Sequence, residues 1–146
     1  MKITRIYEIA EENNIEIIYA SLPLTKCMSM QQGKDNYYIG IDPTYISSSA
    51  DELVKLAHDV GHCVTGSFYN QYSPLDLRGK HEYNADKWAI KKLVPLNELI
   101  QIMRHGCEAV WELAEHFNVT DDFIHKALIL YENDLLNDHS NSKEGI

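Results

Sequence analysis

An α+β fold is expected for this chain: a small, antiparallel-containing sheet, a helix carrying two histidines one turn apart, and a mainly helical C-terminal half. Two observations predict it. β-Branched and aromatic runs with strand-like alternation are confined to residues 15–41, and from residue 49 onward apolar residues recur at helical spacing. At 146 residues, 45% apolar and 24% charged, the chain fits one domain with a core of its own. That domain is taken as residues 1–136, with 137–146 as a flexible tail.

The first element spans about Thr4–Asn13, where Ile6, Ile9 and Ala10 fall at helical spacing and Asn13-Asn14 ends the pattern. Ile15–Tyr19 is β-branched and aromatic, hence a strand. Leu24–Gln31 and Asn36–Ile41 read as a hairpin closed by Gly33-Lys34-Asp35, with Tyr37, Ile39 and Ile41 on one face. Asp42-Pro43 breaks it. Ser49-Ala50-Asp51-Glu52 has the form of a capping box with Ser49 as N-cap, and the helix it opens runs to about Thr65, where Gly66 stops it. Residues 67–80, rich in Tyr, Ser, Pro and Gly, read as a loop in which Tyr69 and Tyr72 could line a peptide cleft. The next helix covers His81–Val94 and stops before Pro95. Shorter helices are expected at Leu96–His105, Glu108–Phe117 and Asp121–Leu136.

Charge and cysteine content narrow the function classes. A formal net charge of −9 opposes tight binding to a phosphate backbone, and the densest basic cluster is Lys91-Lys92. Leu113–Ile124 has the outline of a helix-turn-helix, yet its second helix opens with Asp121-Asp122 where phosphate or base contacts are needed. No direct nucleic-acid binding is therefore expected, and Trp111, Leu113, Phe117, Val119, Phe123 and Leu128 read as the core of a helical pair. No run approaches the ~20 apolar residues of a membrane span. The opening MKITRIYEIAEENN lacks the apolar region of a signal peptide, so a cytoplasmic protein without membrane association is expected. Cys27, Cys63 and Cys107 are odd in number and form no CxxC, so they read as reduced, partly buried thiols.

The chemistry lies on two helices. His58-Asp59-Val60-Gly61-His62 sets two imidazoles one turn apart on one helical face, the spacing that two ligands of one tetrahedral zinc require. Leu53, Leu56, Ala57, Val60 and Val64 cluster on the opposite side, so the histidines look either to solvent or into a cleft. Gly61 costs a mid-helix position roughly 1 kcal/mol against alanine and hints at close approach by another element. On the later helix Ala85, Ala89 and Leu93 form the inward stripe, flanked by Trp88, and Glu82 extends it one step back. A carboxylate there is costly to bury unless it is paired or metal-bound. The competing reading places residue 82 in the first helical turn, where acids favour the dipole and stay exposed. Two His and one Glu leave a fourth position to water, the ligand set of a catalytic zinc. Zinc suits these donors best, although iron, nickel or cobalt could occupy the same set.

Taken in order, these segments resemble the ImmA/IrrE metallopeptidases of mobile elements and stress responses. Leu56-Ala57-His58-Asp59-Val60-Gly61-His62 is similar to the family's L-A-H-E-L-G-H helix. Glu82–Ala89, running on to Leu93-Val94-Pro95, is similar to its E-x-x-A-(N/D)-x-(F/W)-A…L-x-P segment, and Glu112–Thr120 to the helix-turn that follows. The resemblance covers about residues 37–130. It implies a zinc-dependent endopeptidase of the His-Glu-x-x-His…Glu type, with His58, His62 and Glu82 as the Zn2+ ligands. The implied substrate is a protein, a helix-turn-helix transcriptional repressor inactivated in the anti-repressor manner of phages and other mobile elements.

Asp59 stands where that family has its catalytic Glu. Being one methylene shorter, it reaches less far, and because proton transfer depends first on reach, weakened activity is expected. The alternative is a catalytically impaired zinc-binding regulator that holds its repressor without cleaving it. His81 and Tyr83, beside Glu82, are candidates to orient a ligand or an oxyanion. Cys63, next to His62, reads as a buried structural thiol.

Overall fold

A computed structural model of the chain describes residues 1–23, 27–68 and 73–143. The expected start of the second strand, the Tyr69 and Tyr72 positions and the last residues of the expected tail lie outside the described residues. Along the chain run α1 (Ile3–Glu12), β1 (Ile15–Tyr19), β2 (Cys27–Gln32), β3 (Asn36–Ile41) and a 3-10 turn at Pro43–Tyr45. They are followed by α2 (Ser49–Thr65), α3 (Leu75–Leu93), α4 (Leu96–Arg104), α5 (Val110–Phe117) and α6 (Asp121–Lys143). This is the expected α+β architecture, a small sheet with a mainly helical C-terminal half.

The sheet has the order β1-β3-β2. β3 is its centre: Ile39 pairs with Ile17 of parallel β1 on one side and with Ser29 of antiparallel β2 on the other. The hairpin closes with Gln32 opposite Asn36, and Gly33 takes φ 72°, a backbone that a side chain would strain. Asn14 turns the chain from α1 into β1 at φ 56°, in the left-handed region that asparagine tolerates. Ile39 and Ile41 are buried and Tyr37 is partly so, as their shared face requires. They meet Ile6 and Ile9 of α1 and Leu53, Leu56 and Val60 of α2 in one core, which continues through Ile90, Leu93, Leu113, Phe117 and Ile124.

Several boundaries differ from expectation, each for a physical reason. The N-cap of α2 is Ser48, not Ser49: its hydroxyl accepts from the Asp51 amide at 3.1 Å, and Asp51, not Glu52, reaches back to the Ser47 amide at 3.0 Å. Glu52 is engaged instead by the Tyr19 hydroxyl at 2.8 Å. α3 begins at Leu75, so residues 75–80 are helical where a loop was expected. Pro74 directly precedes it, where a missing N–H removes no helical bond, and Asp76 lies in its first turn, where the dipole favours an acid. α6 runs to Lys143, through most of the segment expected as tail. Two residues assigned to the core are exposed: Val64, at 38%, turns out where α2 ends, and Trp111, at 61%, lies on the outer side of α5, whereas Leu113, Phe117, Val119 and Phe123 are buried as expected. None of the described helices is long and apolar enough to cross a membrane.

Candidate metal centre

α2 packs most extensively against α3, and the two run antiparallel, His58 lying against Asp86 and His62 against Glu82. Gly61 makes this possible. A Cβ at that position would stand 2.8 Å from the Ala85 carbonyl oxygen and 3.3 Å from both Ala85 Cα and the Trp88 ring. The close approach inferred from a mid-helix glycine is therefore the α2–α3 crossing itself, and it brings the histidine pair within reach of the facing acid.

His58, His62 and Glu82 come together at this crossing, their ligand atoms all within 4.8 Å of one another, near enough to hold a metal ion. The two Nε2 atoms are 3.1 Å apart, Glu82 Oε2 is 2.9 Å from that of His58, and Oε1 is 3.2 Å from that of His62. Ligands about 2.0–2.1 Å from a tetrahedral zinc stand roughly 3.3 Å from one another, and each of these spacings, the two to Glu82 made by different carboxylate oxygens, lies near that value. The cleft reading of the histidine face holds. The His62 side chain is 6% exposed and that of His58 23%, while Glu82, at 40%, leaves the third corner open to solvent. Glu82 lies two turns inside α3, so the helix-start explanation of its acidity does not apply.

The far nitrogen of each ring is also held. His58 Nδ1 lies 2.8 Å from Asp86 Oδ1, and Asp86 Oδ2 is 3.3 Å from Lys126 Nζ on α6. His62 Nδ1 lies 2.5 Å from the main-chain carbonyl of Ser67. That carbonyl is placed by the end of α2. Gly66 takes φ 66°, the Ser67 amide bonds back to the His62 carbonyl and the Gly66 amide to that of Cys63, a Schellman end that folds residue 67 over the ring. Thr65 Oγ1 fastens the turn through the Gly61 carbonyl at 2.7 Å and Ser67 Oγ at 2.8 Å. With an acceptor at each Nδ1, both rings carry that proton on the outer nitrogen. Their Nε2 lone pairs then converge, which is how metal-ligating histidines are fixed in tautomer and direction.

The electrostatics favour a cation at this point. Burial pulls the His58 imidazole down, but the hydrogen bond to Asp86 and the charges of Asp86, Glu82 and Asp59 outweigh it and leave the group above its usual value. Burial likewise opposes the charge on Asp86, yet its bonds to His58 and Lys126 keep its carboxyl below the ordinary range.

Asp59 is buried, at 6% exposure, and its Oδ2 accepts the thiol of Cys27 from β2. Burial raises its carboxyl above the usual value, against the opposing pull of Cys27, His58 and His62. His81 is partly buried beside Glu82, and Tyr83 is half-exposed with Lys87 Nζ 6.0 Å from its ring centre. The groups seen to orient the histidines are Asp86 and the Ser67 carbonyl, neither of which the sequence reading assigned that role. Asp86 carried a signal, standing four residues after Glu82 on the same stripe; Ser67 acts through its backbone and carried none. Cys63 is buried, and burial together with the charge of Asp59 pushes its thiol up to about 12, in keeping with an inert structural role.

No family model, no curated protein and no solved structure matches the chain.

Proposed function

We propose that the chain is a zinc-dependent endopeptidase of the ImmA/IrrE kind, acting on a helix-turn-helix repressor, with turnover slowed by aspartate at position 59. The single observation that supports a catalytic centre is the convergence of two anchored Nε2 atoms and one half-open carboxylate on a common point. A purely structural zinc site closes with four protein ligands, whereas among the described residues three are grouped here, and the Glu82 side chain is 40% exposed.

In this reading His58, His62 and Glu82 hold the metal, which when bound supplies the Lewis acidity that polarises a peptide carbonyl and acidifies water. Asp86 and the Ser67 carbonyl hold the Nδ1 side of each ring and so keep both Nε2 atoms aimed at the common point. Asp59, between the two histidines in the sequence of α2, is in this reading the carboxylate that takes a proton during hydrolysis and returns it to the leaving amine. Its burial favours that role, since a carboxyl with a raised pKa is a better proton acceptor at neutral pH.

One observation favours a second reading. One oxygen of Asp59 is already engaged by Cys27, which suits a regulator that keeps its metal and binds a repressor without cutting it. Metal analysis of the purified protein beside Glu82→Ala, followed by incubation with a helix-turn-helix repressor, separates the cases. About one zinc per chain, lost in the variant, with slow repressor cleavage supports the peptidase. Zinc with binding but no cleavage supports the regulator, and absence of metal in both proteins overturns either zinc-based reading.

A further inference from the structure

We propose that Cys27 is a positioning residue for Asp59: its thiol, reaching in from β2, anchors Oδ2 of the carboxylate and so fixes where Oδ1 stands. The inference rests on the peptidase reading and assigns a role that the ligand triad alone does not suggest. Asp59 is buried on α2 between the two histidines, and its Oδ2 accepts the Cys27 Sγ–H. Among the described residues Oδ1 makes no hydrogen bond. The carboxylate stands on α2 directly after His58 and three residues before His62. The two oxygens therefore have different surroundings: one is held by the sheet, and the other has no hydrogen bond among the described residues.

The chemistry of the donor matters. A thiol is a weak hydrogen-bond donor, so it directs a carboxylate without strongly stabilising its charge. Aspartate has fewer torsions than glutamate, and fixing one oxygen settles where the other stands. This is the condition a short side chain must meet when proton transfer depends on reach. β2 is an edge strand fixed to β3 from Cys27 to Gln32, so the anchor rests on the sheet rather than on a loop.

The test combines infrared spectroscopy of the metal-free protein with kinetics of the zinc-loaded protein, using fluorescein-labelled casein as the probe. The S–H stretching band has contributions from Cys27, Cys63 and Cys107. We expect a low-frequency component that vanishes in Cys27→Ser and moves up in Asp59→Ala. In turnover, Cys27→Ala should lower kcat by about tenfold or more with KM unchanged, a part of the ~10²–10⁴ that acid–base catalysis contributes as a whole. Cys27→Ser, which keeps a donor, should restore kcat to within about threefold while zinc content and thermal midpoint stay level across the set. An S–H band indifferent to Asp59→Ala, or full kcat in Cys27→Ala, overturns the assignment. Zinc-loaded protein that cleaves neither casein nor repressor overturns the peptidase reading instead, and the S–H band still decides whether Cys27 anchors Asp59.

Discussion

Replacing Gly61 by alanine tests whether the α2–α3 crossing builds the metal centre. A Cβ there would stand 2.8 Å from the Ala85 carbonyl oxygen and 3.3 Å from Ala85 Cα. Ordinary non-bonded carbon contacts lie at about 3.5–4.0 Å, so α3 must retreat by roughly 0.5–1 Å. The obstacle is backbone, and no side-chain rotation relieves it. Alanine recovers about 1 kcal/mol of helix propensity. Overpacking of a tight interior costs about 1–3 kcal/mol, and a rigid contact belongs at the upper end of that range. The net expectation is a loss of about 1–2 kcal/mol, or a thermal midpoint lower by about 3–8 °C for a chain of this size. The same retreat carries Glu82, one turn before Ala85, away from the histidines and opens spacings that now measure 2.9 and 3.2 Å. Misplacement of about 1 Å is worth on the order of 10²-fold where geometry is critical, so zinc affinity should fall by at least about tenfold. Thermal unfolding with and without zinc, and titration against a chelator of known affinity, measure both effects. A variant with a raised midpoint and unchanged zinc affinity would refute the reasoning, because propensity would then outweigh a crossing that is not tight.

Three further outcomes follow from the same geometry. Asp86→Ala removes the acceptor at His58 Nδ1 and should weaken zinc binding by about 10–100-fold in a competition titration, while Asp86→Asn, which keeps a carbonyl oxygen, should lose less. Ser48→Ala should destabilise the fold by about 0.5–2 kcal/mol in denaturant unfolding and Ser49→Ala by much less, the reverse of what a cap at Ser49 requires. Asp59→Glu restores the missing methylene and should raise cleavage of a repressor substrate several-fold, within the ~10²–10⁴ range of acid–base catalysis; equal or lower turnover removes the argument from reach.

What could be read in the sequence is what a single helix determines. His58 and His62 share a face because they are one turn apart, and Glu82 joins the inward stripe because it stands three residues before Ala85. Even the crossing left a mark, as a glycine where a helix prefers any other small residue. The register between α2 and α3 left none, since it is set by which backbone atoms meet at Gly61, and Asp86 meets His58 only once that register exists. Ser67 orients His62 through a carbonyl that every residue type possesses, so only the turn geometry beyond Gly66 identifies it. Cys27 reaches Asp59 across 32 residues of chain, by way of a sheet whose placement on α2 follows from the burial of Ile39 and Ile41. The start of α3 stayed hidden because Ser73, Pro74 and Gly79 carry loop composition, although a proline ahead of a helix and a glycine with nothing near its Cβ position both leave it intact.

The candidate metal centre is therefore tied to fold features distant in sequence, and this bears on how its two readings differ. The ligand triangle depends on the α2–α3 crossing and on the turn that closes α2, neither of which involves β2. Asp59 depends on β2 through Cys27. A change that displaces β2 while leaving the two helices packed should then separate metal binding from proton transfer. It should yield a protein that holds zinc with undiminished affinity and turns over more slowly. Under the regulator reading the same displacement leaves zinc and repressor binding both intact, because Asp59 has no chemical step to perform. Comparing zinc affinity, repressor affinity and turnover in Cys27→Ala thus distinguishes the readings by pattern: loss confined to turnover belongs to a peptidase whose base is held by the sheet.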